Sequence, residues 1–104
     1  MAKYIVESSA EADLHAIWRF IAQDNPSAAF DVIDAAYKTF AILAEHPRIG
    51  IKREFPAFRR QDIRSWPVSG FDQYVIFYYP CPDGASIVAV YHTARHVEAL
   101  FERG

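Results

Sequence analysis

The feature that most constrains the fold is a change of hydrophobic period at His46-Pro47. Before this point, apolar residues recur at the spacing of amphipathic helices, in two segments that end near Asp24 and Glu45. After it, apolar residues alternate with polar ones or form short continuous runs, as in β-strands. This order predicts a single α+β domain over residues 1–104, with the helices packed on one face of a mostly antiparallel sheet.

Start signals divide the helical part into a hairpin. Ser8-Ser9-Ala10-Glu11 has the form of a capping box, in which a hydroxyl and a carboxylate three residues later satisfy amides at a helix start. Asn25-Pro26 predicts the start of the second helix, because Asn is a good cap and Pro fits the first helical position. Residues 3–7 form a short strand-like run before the first helix.

Four later segments predict strands of an antiparallel meander. They are Ile51–Phe55, Asp62–Val68, Gln73–Tyr79 and Ser86–His92. Pro82-Asp83-Gly84 is a turn signal that joins the last two, and Pro67 indicates that its strand lies at an edge or ends there. Residues 94–101 predict a short closing helix.

The two helices carry more apolar surface than one sheet can cover. The surplus residues are Ala12, Ala16, Trp18 and Phe20 in the first helix and Ala28, Val32, Ala35, Tyr37 and Ile42 in the second. Two interpretations remain open at this point. Either the helices pack on each other along these flanks, or the flanks form a groove for an amphipathic partner helix or an added strand.

The charges are unevenly distributed, although the formal net charge is only −2. Residues 1–47 contain three basic and seven acidic residues, whereas residues 48–64 contain six basic and two acidic ones. The basic segment could face an acidic partner or phosphates, or it could be an ordinary solvated surface. The total charge gives no reason to expect direct binding of nucleic acid or of a membrane.

Several kinds of site are not expected. Cys81 is the only cysteine, which excludes an internal disulfide and a metal site of paired cysteines. His92 and His96 are four residues apart, but no third metal ligand is evident. The longest apolar run, residues 74–80, is far shorter than the roughly 20 residues of a membrane-spanning helix. We therefore expect a cytoplasmic protein without a metal or cofactor.

Short motifs along the chain form a recognisable ordered set. They are Ser9-x-x-x-Asp13-Leu14-x-x-Ile17-Trp18, Asn25-Pro26, Leu43-Ala44-Glu45-His46-Pro47-x-x-Gly50, Ile63-Arg64-Ser65, Tyr74-Val75-Ile76-Phe77-Tyr78 and His92-x-x-Arg95. No motif is specific alone, but the set resembles ParE-type toxins of bacterial toxin–antitoxin pairs over nearly the whole chain. The resemblance implies the RelE/ParE fold: an N-terminal strand, a helical hairpin, a four-strand antiparallel meander and a short C-terminal helix.

The resemblance also implies a toxin that acts by binding other proteins. ParE toxins are neutralised by a ParD-like antitoxin, whose disordered C-terminal part folds onto the toxin, and they are understood to inhibit DNA gyrase without being enzymes. The candidate residues for antitoxin contact are Trp18, Phe20, Ile21, Val32 and Tyr37. The candidate residues for target contact are Arg53, Glu54, Arg64, His92 and Arg95.

A rival interpretation is enzymatic, because RelE-type relatives of the same fold cut messenger RNA on the ribosome. Glu54 or His92 could then serve as base or acid, while Arg64 and Arg95 could hold a phosphate. Tyr74 or Tyr78 could stack on a base. Both tyrosines lie in a continuous apolar strand, however, which is more typical of a core.

A third interpretation is a remnant that binds only the antitoxin. In relatives the closing motif is often His-Gly-x-Arg-Asp, whereas here it is His92-Thr93-Ala94-Arg95-His96. Thr93 lacks the freedom of glycine at positive φ, and His96 removes an acid that could pair with Arg95. These departures concern toxicity and leave the expected fold unchanged.

Overall fold

The computed structural model describes residues 2–54 and 62–94. Its elements are β1 (Lys3–Val6), α1 (Ser8–Ala22), α2 (Pro26–Glu45), β2 (Ile51–Lys52), β3 (Arg64–Val68), β4 (Phe71–Cys81) and β5 (Gly84–His92). The predicted helical hairpin and strand order are confirmed, with β2 and β3 shorter and β4 longer than expected. Apart from Ala94, the expected closing helix lies outside the described residues.

The strands form one sheet in the order β1-β5-β4-β3-β2. The four strands after the hairpin pair antiparallel, while β1 pairs parallel to β5, with Lys3 opposite Gly84 and Val6 opposite Ile87. The hairpin supplies the crossover that a parallel pair requires. The α+β class and the meander are therefore confirmed.

The helices cover one face of the sheet and the other face has its own apolar cluster. The first core joins both helices to the sheet through Ala10, Leu14, Ile17, Val32, Ala36, Phe40, Leu43, Val68, Tyr74, Ile76, Tyr78, Ala85, Ile87 and Val90. The second consists of Ile63, Phe77, Ala89 and Tyr91, all nearly inaccessible to solvent. Tyr74 and Tyr78 belong to the first core, so the interpretation of these tyrosines as core residues is confirmed.

The helix starts only partly follow the predicted caps. Asn25 Oδ1 accepts a hydrogen bond from the Ala28 amide at 3.1 Å, with Pro26 in the first turn, as predicted. The capping box is wrong, because the residue before α1 is Glu7 and its side chain makes no cap. Ser9 Oγ instead donates to the Val88 carbonyl at 2.6 Å. Ser9 therefore bonds the sheet, and this tertiary contact outweighs the local pattern.

Pro67 lies where a missing amide is tolerated. β2 pairs only with Ser65 and Arg64, so it ends before reaching Pro67. On its other side Pro67 lies opposite Val75, and the register shifts immediately afterwards. The expectation of an edge position is confirmed for this part of β3. In the described part of the chain, no helix is both long enough and apolar enough to cross a membrane.

Candidate functional site

A furrow runs along the outer surface of the hairpin between α1 and α2. Its described lining residues are Glu11, Leu14, His15, Trp18, Ile33 and Tyr37, around a volume of about 240 Å³. The α1 members follow helical spacing, since positions three, four and seven residues apart share one face. The same holds for Ile33 and Tyr37 on α2. The furrow is therefore built by two facing stripes of an antiparallel helix pair.

Two aromatic side chains at the furrow are exposed. Trp18 is 43 % and Tyr37 is 38 % accessible to solvent. Tyr37 is held from below by Phe40, at a ring-centroid distance of 5.2 Å, and by Tyr4 of β1 at 6.5 Å. Edge and tilted contacts of this kind fix a ring without covering its outer side. Large amphipathic side chains in a fixed orientation are typical of protein-binding surfaces.

The other candidates for antitoxin contact lie elsewhere. Val32 is only 5 % exposed and belongs to the core beneath the hairpin, so its assignment to an accessible surface was wrong. Ile21 is half-buried against the same core. Phe20 is exposed, but two residues from Trp18 a helix has turned by about 200°, so Phe20 lies on a different face of α1.

The two interpretations of the surplus apolar flanks each hold in part. On α2, Val32 and Ala35 pack into the core, as helix-on-helix packing requires. On α1, Ala12, Ala16 and Phe20 are exposed. The sequence alone could not separate these outcomes, because each flank is equally apolar and only the crossing of the helices decides which one is covered.

Sequence reasoning missed two residues that extend the furrow stripe on α2. Ile33 lines the furrow, although it is not among the surplus apolar residues identified from the sequence. Phe30 is 66 % exposed and precedes Ile33 and Tyr37 by three and seven residues, on the same helical stripe. This spacing was a usable signal. The spacing was difficult to recognise in the sequence because the same helix has two further apolar stripes.

The candidates for target contact do not converge on one site. Arg64 and Tyr78 lie opposite each other in the sheet, whereas His92 lies opposite Tyr74. Four residues of β4 separate the two positions, which corresponds to about 13 Å along the strand. Arg95 lies outside the described residues. Among the described candidates, Arg64 and His92 therefore lie in two separate regions of the sheet.

Arg64 has a structural task at the turn that follows α2. We call residues 46–50 the exit loop. The Arg64 Nη1 donates to the carbonyls of Gly50 at 3.0 Å and Arg48 at 3.2 Å, and its Nη2 lies 3.6 Å from Asp62 Oδ2. Asp62 and the two loop carbonyls are thus the described partners of this guanidinium.

Tyr78 completes this attachment from the neighbouring strand. Its hydroxyl donates to the Pro47 carbonyl at 2.9 Å and accepts from the Gly50 amide at 2.8 Å. Burial raises the pKa of Tyr78, while the Gly50 hydrogen bond and the positive charge of Arg64 oppose this effect. Tyr78 is therefore a neutral structural group and does not stack on a base.

Arg53 and Glu54 are exposed beyond β2, and His92 is half-buried at the end of β5. Arg53 Nε donates to Ser65 Oγ at 2.7 Å, which directs this side chain along β3. The His92 ring contacts Tyr74 edge-on at 5.1 Å, and its Nδ1 accepts from the Ala94 amide at 3.2 Å. Apart from Glu54, the described candidates for a nuclease site thus fall into two pairs, Arg64 with Tyr78 at the exit loop and His92 with Tyr74 at the end of β5.

Within residues 2–54 and 62–94, no group of three or more His, Cys, Asp or Glu side chains could hold a metal ion.

Comparisons with known proteins agree with this fold. Residues 4–97 match the family described as the ParE toxin of type II toxin–antitoxin system, parDE. The structure is similar to the chromosomal ParDE toxin–antitoxin system from P. aeruginosa, with a TM-score of 0.67 and 17 % sequence identity. That similarity covers 88 % of this chain and 96 % of the other chain. No curated protein sequence matches the chain.

Proposed function

The chain belongs to the ParE toxins of type II toxin–antitoxin systems, and from this premise we propose that it is neutralised by a ParD-like antitoxin and inhibits DNA gyrase by binding it. The antitoxin would occupy the hairpin furrow. A segment that folds on binding needs apolar surface to offset its ordering entropy, and exposed aromatic side chains provide it. The observation that carries the proposal is the exposure of Trp18 and Tyr37 along this furrow.

The geometry narrows the antitoxin contacts. Trp18 and Tyr37 lie on opposite helices and both line the furrow, so one amphipathic helix could contact both. Leu14 and Ile33 lie between the helices as the apolar floor. Val32 is too buried to take part directly, and Ile21 is half-buried against the core. Phe20 would contribute only if the antitoxin also wraps around α1.

The cognate antitoxin and the variants Trp18→Ala and Tyr37→Ala would test this contact by calorimetric titration. Each substitution removes an aromatic anchor, and we expect the dissociation constant to rise by about tenfold or more, as for interface hot spots. Phe20→Ala is the matched control, because it removes an equally exposed aromatic ring from another face of the same helix. Unchanged affinity in both Trp18→Ala and Tyr37→Ala would reject the furrow as the contact.

Gyrase inhibition is tested separately. Purified protein added to a gyrase supercoiling reaction is expected to reduce supercoiling, and prior addition of the antitoxin should restore it. Arg53, Glu54 and His92 are the described candidates for this contact; Arg64 would act indirectly by holding the exit loop. Arg53→Ala and His92→Ala should weaken inhibition more than Lys3→Ala, an exposed basic residue on β1.

The same assay separates the rival functions. Unchanged supercoiling together with cleaved message in a cell-free translation mixture would favour the endoribonuclease. No effect in either reaction, with antitoxin binding intact, would favour a remnant. The proposed partners are both cytoplasmic, and we place the protein in that compartment on this basis.

A further inference from the structure

The exit loop forms a second apolar hollow, away from the furrow. The hollow has a volume of about 540 Å³, opens broadly to solvent, and its described lining residues are His46, Pro47, Arg48 and Ile49. Ile49 is 41 % exposed, and Ile42, one helical turn before His46, is 42 % exposed. An open hollow of this kind cannot enclose a small molecule, but it can receive a side chain from a polypeptide.

The hollow is fixed to the sheet before any partner arrives. Tyr78 and Arg64 together make four hydrogen bonds to the loop backbone, at Pro47, Arg48 and Gly50. A Cβ atom at Gly50 would lie 2.5 Å from the Tyr78 hydroxyl oxygen, so only glycine permits this close approach. A surface held in one conformation loses little entropy on binding.

One cation lines the hollow and a second lies on the adjoining strand. Arg48 and Lys52 are largely exposed, and among the described residues their ion-pair partner is the Asp62 carboxylate, at 3.9 and 3.8 Å. Arg64 shares the same carboxylate at 3.6 Å, so one acid faces three cations. Glu45 and Glu54 are the other described acids near this segment, and neither forms a described ion pair with these cations. The positive potential favours an acidic partner.

The hollow also adjoins the edge of the described sheet. β2 is the last strand of the described sheet and pairs with β3 on one side only. Ile51 is 59 % exposed on this edge strand. An extended segment can add to such an edge through backbone hydrogen bonds, while its alternate side chains enter neighbouring pockets.

We infer that the exit loop and β2 form a docking surface for an extended acidic polypeptide segment that carries aliphatic side chains. Its backbone pairs with Ile51–Lys52, an aliphatic side chain occupies the hollow beside Ile49, and its carboxylates face Arg48 and Lys52. No residue of the furrow is used. Tyr37 and Glu45 are eight residues apart, or about 12 Å along the helix axis, so a partner in the furrow leaves this surface accessible.

The test is an amide chemical-shift titration of the full-length chain with short synthetic peptides. In the acidic peptides Glu alternates with Leu, Ile or Val; in the matched peptides Lys replaces Glu. The acidic peptides are expected to shift the amides of Ile42, residues 46–52 and Arg64, and to bind more weakly as salt is raised. The Lys peptides should bind about tenfold more weakly or not at all.

Charge reversal and hollow variants provide the controls. Arg48→Glu and Lys52→Glu should each lower the affinity for the acidic peptides several-fold. Ile49→Ser should also lower this affinity, but without changing how the affinity depends on salt concentration. Lys3→Glu makes the same charge change at the opposite sheet edge and should leave binding unchanged.

Three results would overturn the inference: no shifts with any acidic peptide, equal binding of the Lys peptides, or shifts confined to the furrow. Shifts at the exit loop with a single-stranded oligonucleotide, but with no peptide, would instead assign this surface to nucleic acid. None of these results bears on the proposed function, which is tested separately by antitoxin affinity and by inhibition of gyrase supercoiling.

Discussion

One hydroxyl group joins the sheet to the exit loop. Tyr78 is completely buried, and its hydroxyl bonds the Pro47 carbonyl in a partly buried position and the Gly50 amide in a buried one, so the Gly50 amide would be left unsatisfied when the hydroxyl is lost. Unsatisfied buried groups cost more than the net value of a hydrogen bond, about 1–3 kcal/mol each. A single atom therefore has a large effect on the position of the loop that carries Ile49 and Arg48.

Tyr78→Phe should change both the stability and its dependence on pH. Because its pKa is raised in the folded protein, the unfolded tyrosine ionises first, at a pH of about 10. The stabilisation is therefore complete below pH 10 and is lost as the pH rises above it. In urea unfolding, Tyr78→Phe should lower stability by about 1–3 kcal/mol at pH 7 and by less at pH 11. A constant difference between the two proteins would contradict this assignment.

Gly50→Ala tests the close packing at the same point. The added methyl group would lie 2.5 Å from the Tyr78 hydroxyl oxygen and 2.9 Å from its Cζ, so the ring or the loop must shift. We expect a loss of about 1–3 kcal/mol in unfolding free energy, typical of overpacking. The double variant with Tyr78→Phe should lose less unfolding free energy than the sum of the two single-variant losses, because both substitutions disturb the same contact.

At the scale of elements, α1 replaces a missing stretch of β-ladder. β1 ends at Val6, and its ladder to β5 ends with the Glu7 amide donating to the Ile87 carbonyl. Beyond this point Val88 is an extra residue in β5, and α1 bonds the strand through two side chains four residues apart. Ser9 donates to the Val88 carbonyl, and Asp13 Oδ2 accepts from the Val90 amide at 3.1 Å. A helix thus protects a strand edge.

Asp13→Ala should therefore loosen β5 at Val90. The amide would lose its acceptor in a partly buried position, at a cost of about 1–3 kcal/mol in urea unfolding. Hydrogen exchange at Val90 should accelerate more than at Ile76, which lies opposite it in β4. Asp13→Asn keeps an acceptor oxygen at the same place and should recover most of the protection. Equal exchange at Val90 in the Ala and Asn variants would show that the negative charge of Asp13 protects this amide, and that an acceptor oxygen alone does not.

The same contacts explain where prediction from the sequence succeeds and fails. Hydrophobic periodicity and helix-capping residues are local features of the sequence, and they predicted the helical hairpin and the Asn25 cap correctly. Ser9 lies inside the predicted capping box, but its partner is 79 positions away in β5, and no local rule contains that information. Gly50 was noted only as the last residue of a family motif, whereas its small size is needed against Tyr78.

At the scale of the whole molecule, the candidate surfaces occupy separate places. The furrow lies on the outer side of the hairpin, the exit loop follows the end of α2, and His92 lies at the end of β5. Residue type and family motif identified many of these side chains, but they could not assign them to one surface. That assignment depends on strand register and on helix rotation, which separate Arg64 from His92 and Trp18 from Phe20.

Trp18 provides a direct signal for occupancy of the furrow. The chain has two tryptophans, and Trp66 is half-buried against the core. In the variant Trp66→Phe, the remaining Trp18 emission should move to shorter wavelength when the antitoxin covers the furrow, because the exposed indole then leaves water. The acidic peptides should leave this emission unchanged, since their proposed surface is about 12 Å further along α2. A shift of the Trp18 emission caused by the peptides would show that the two surfaces are not separate. No shift with the antitoxin would show that it does not cover the furrow.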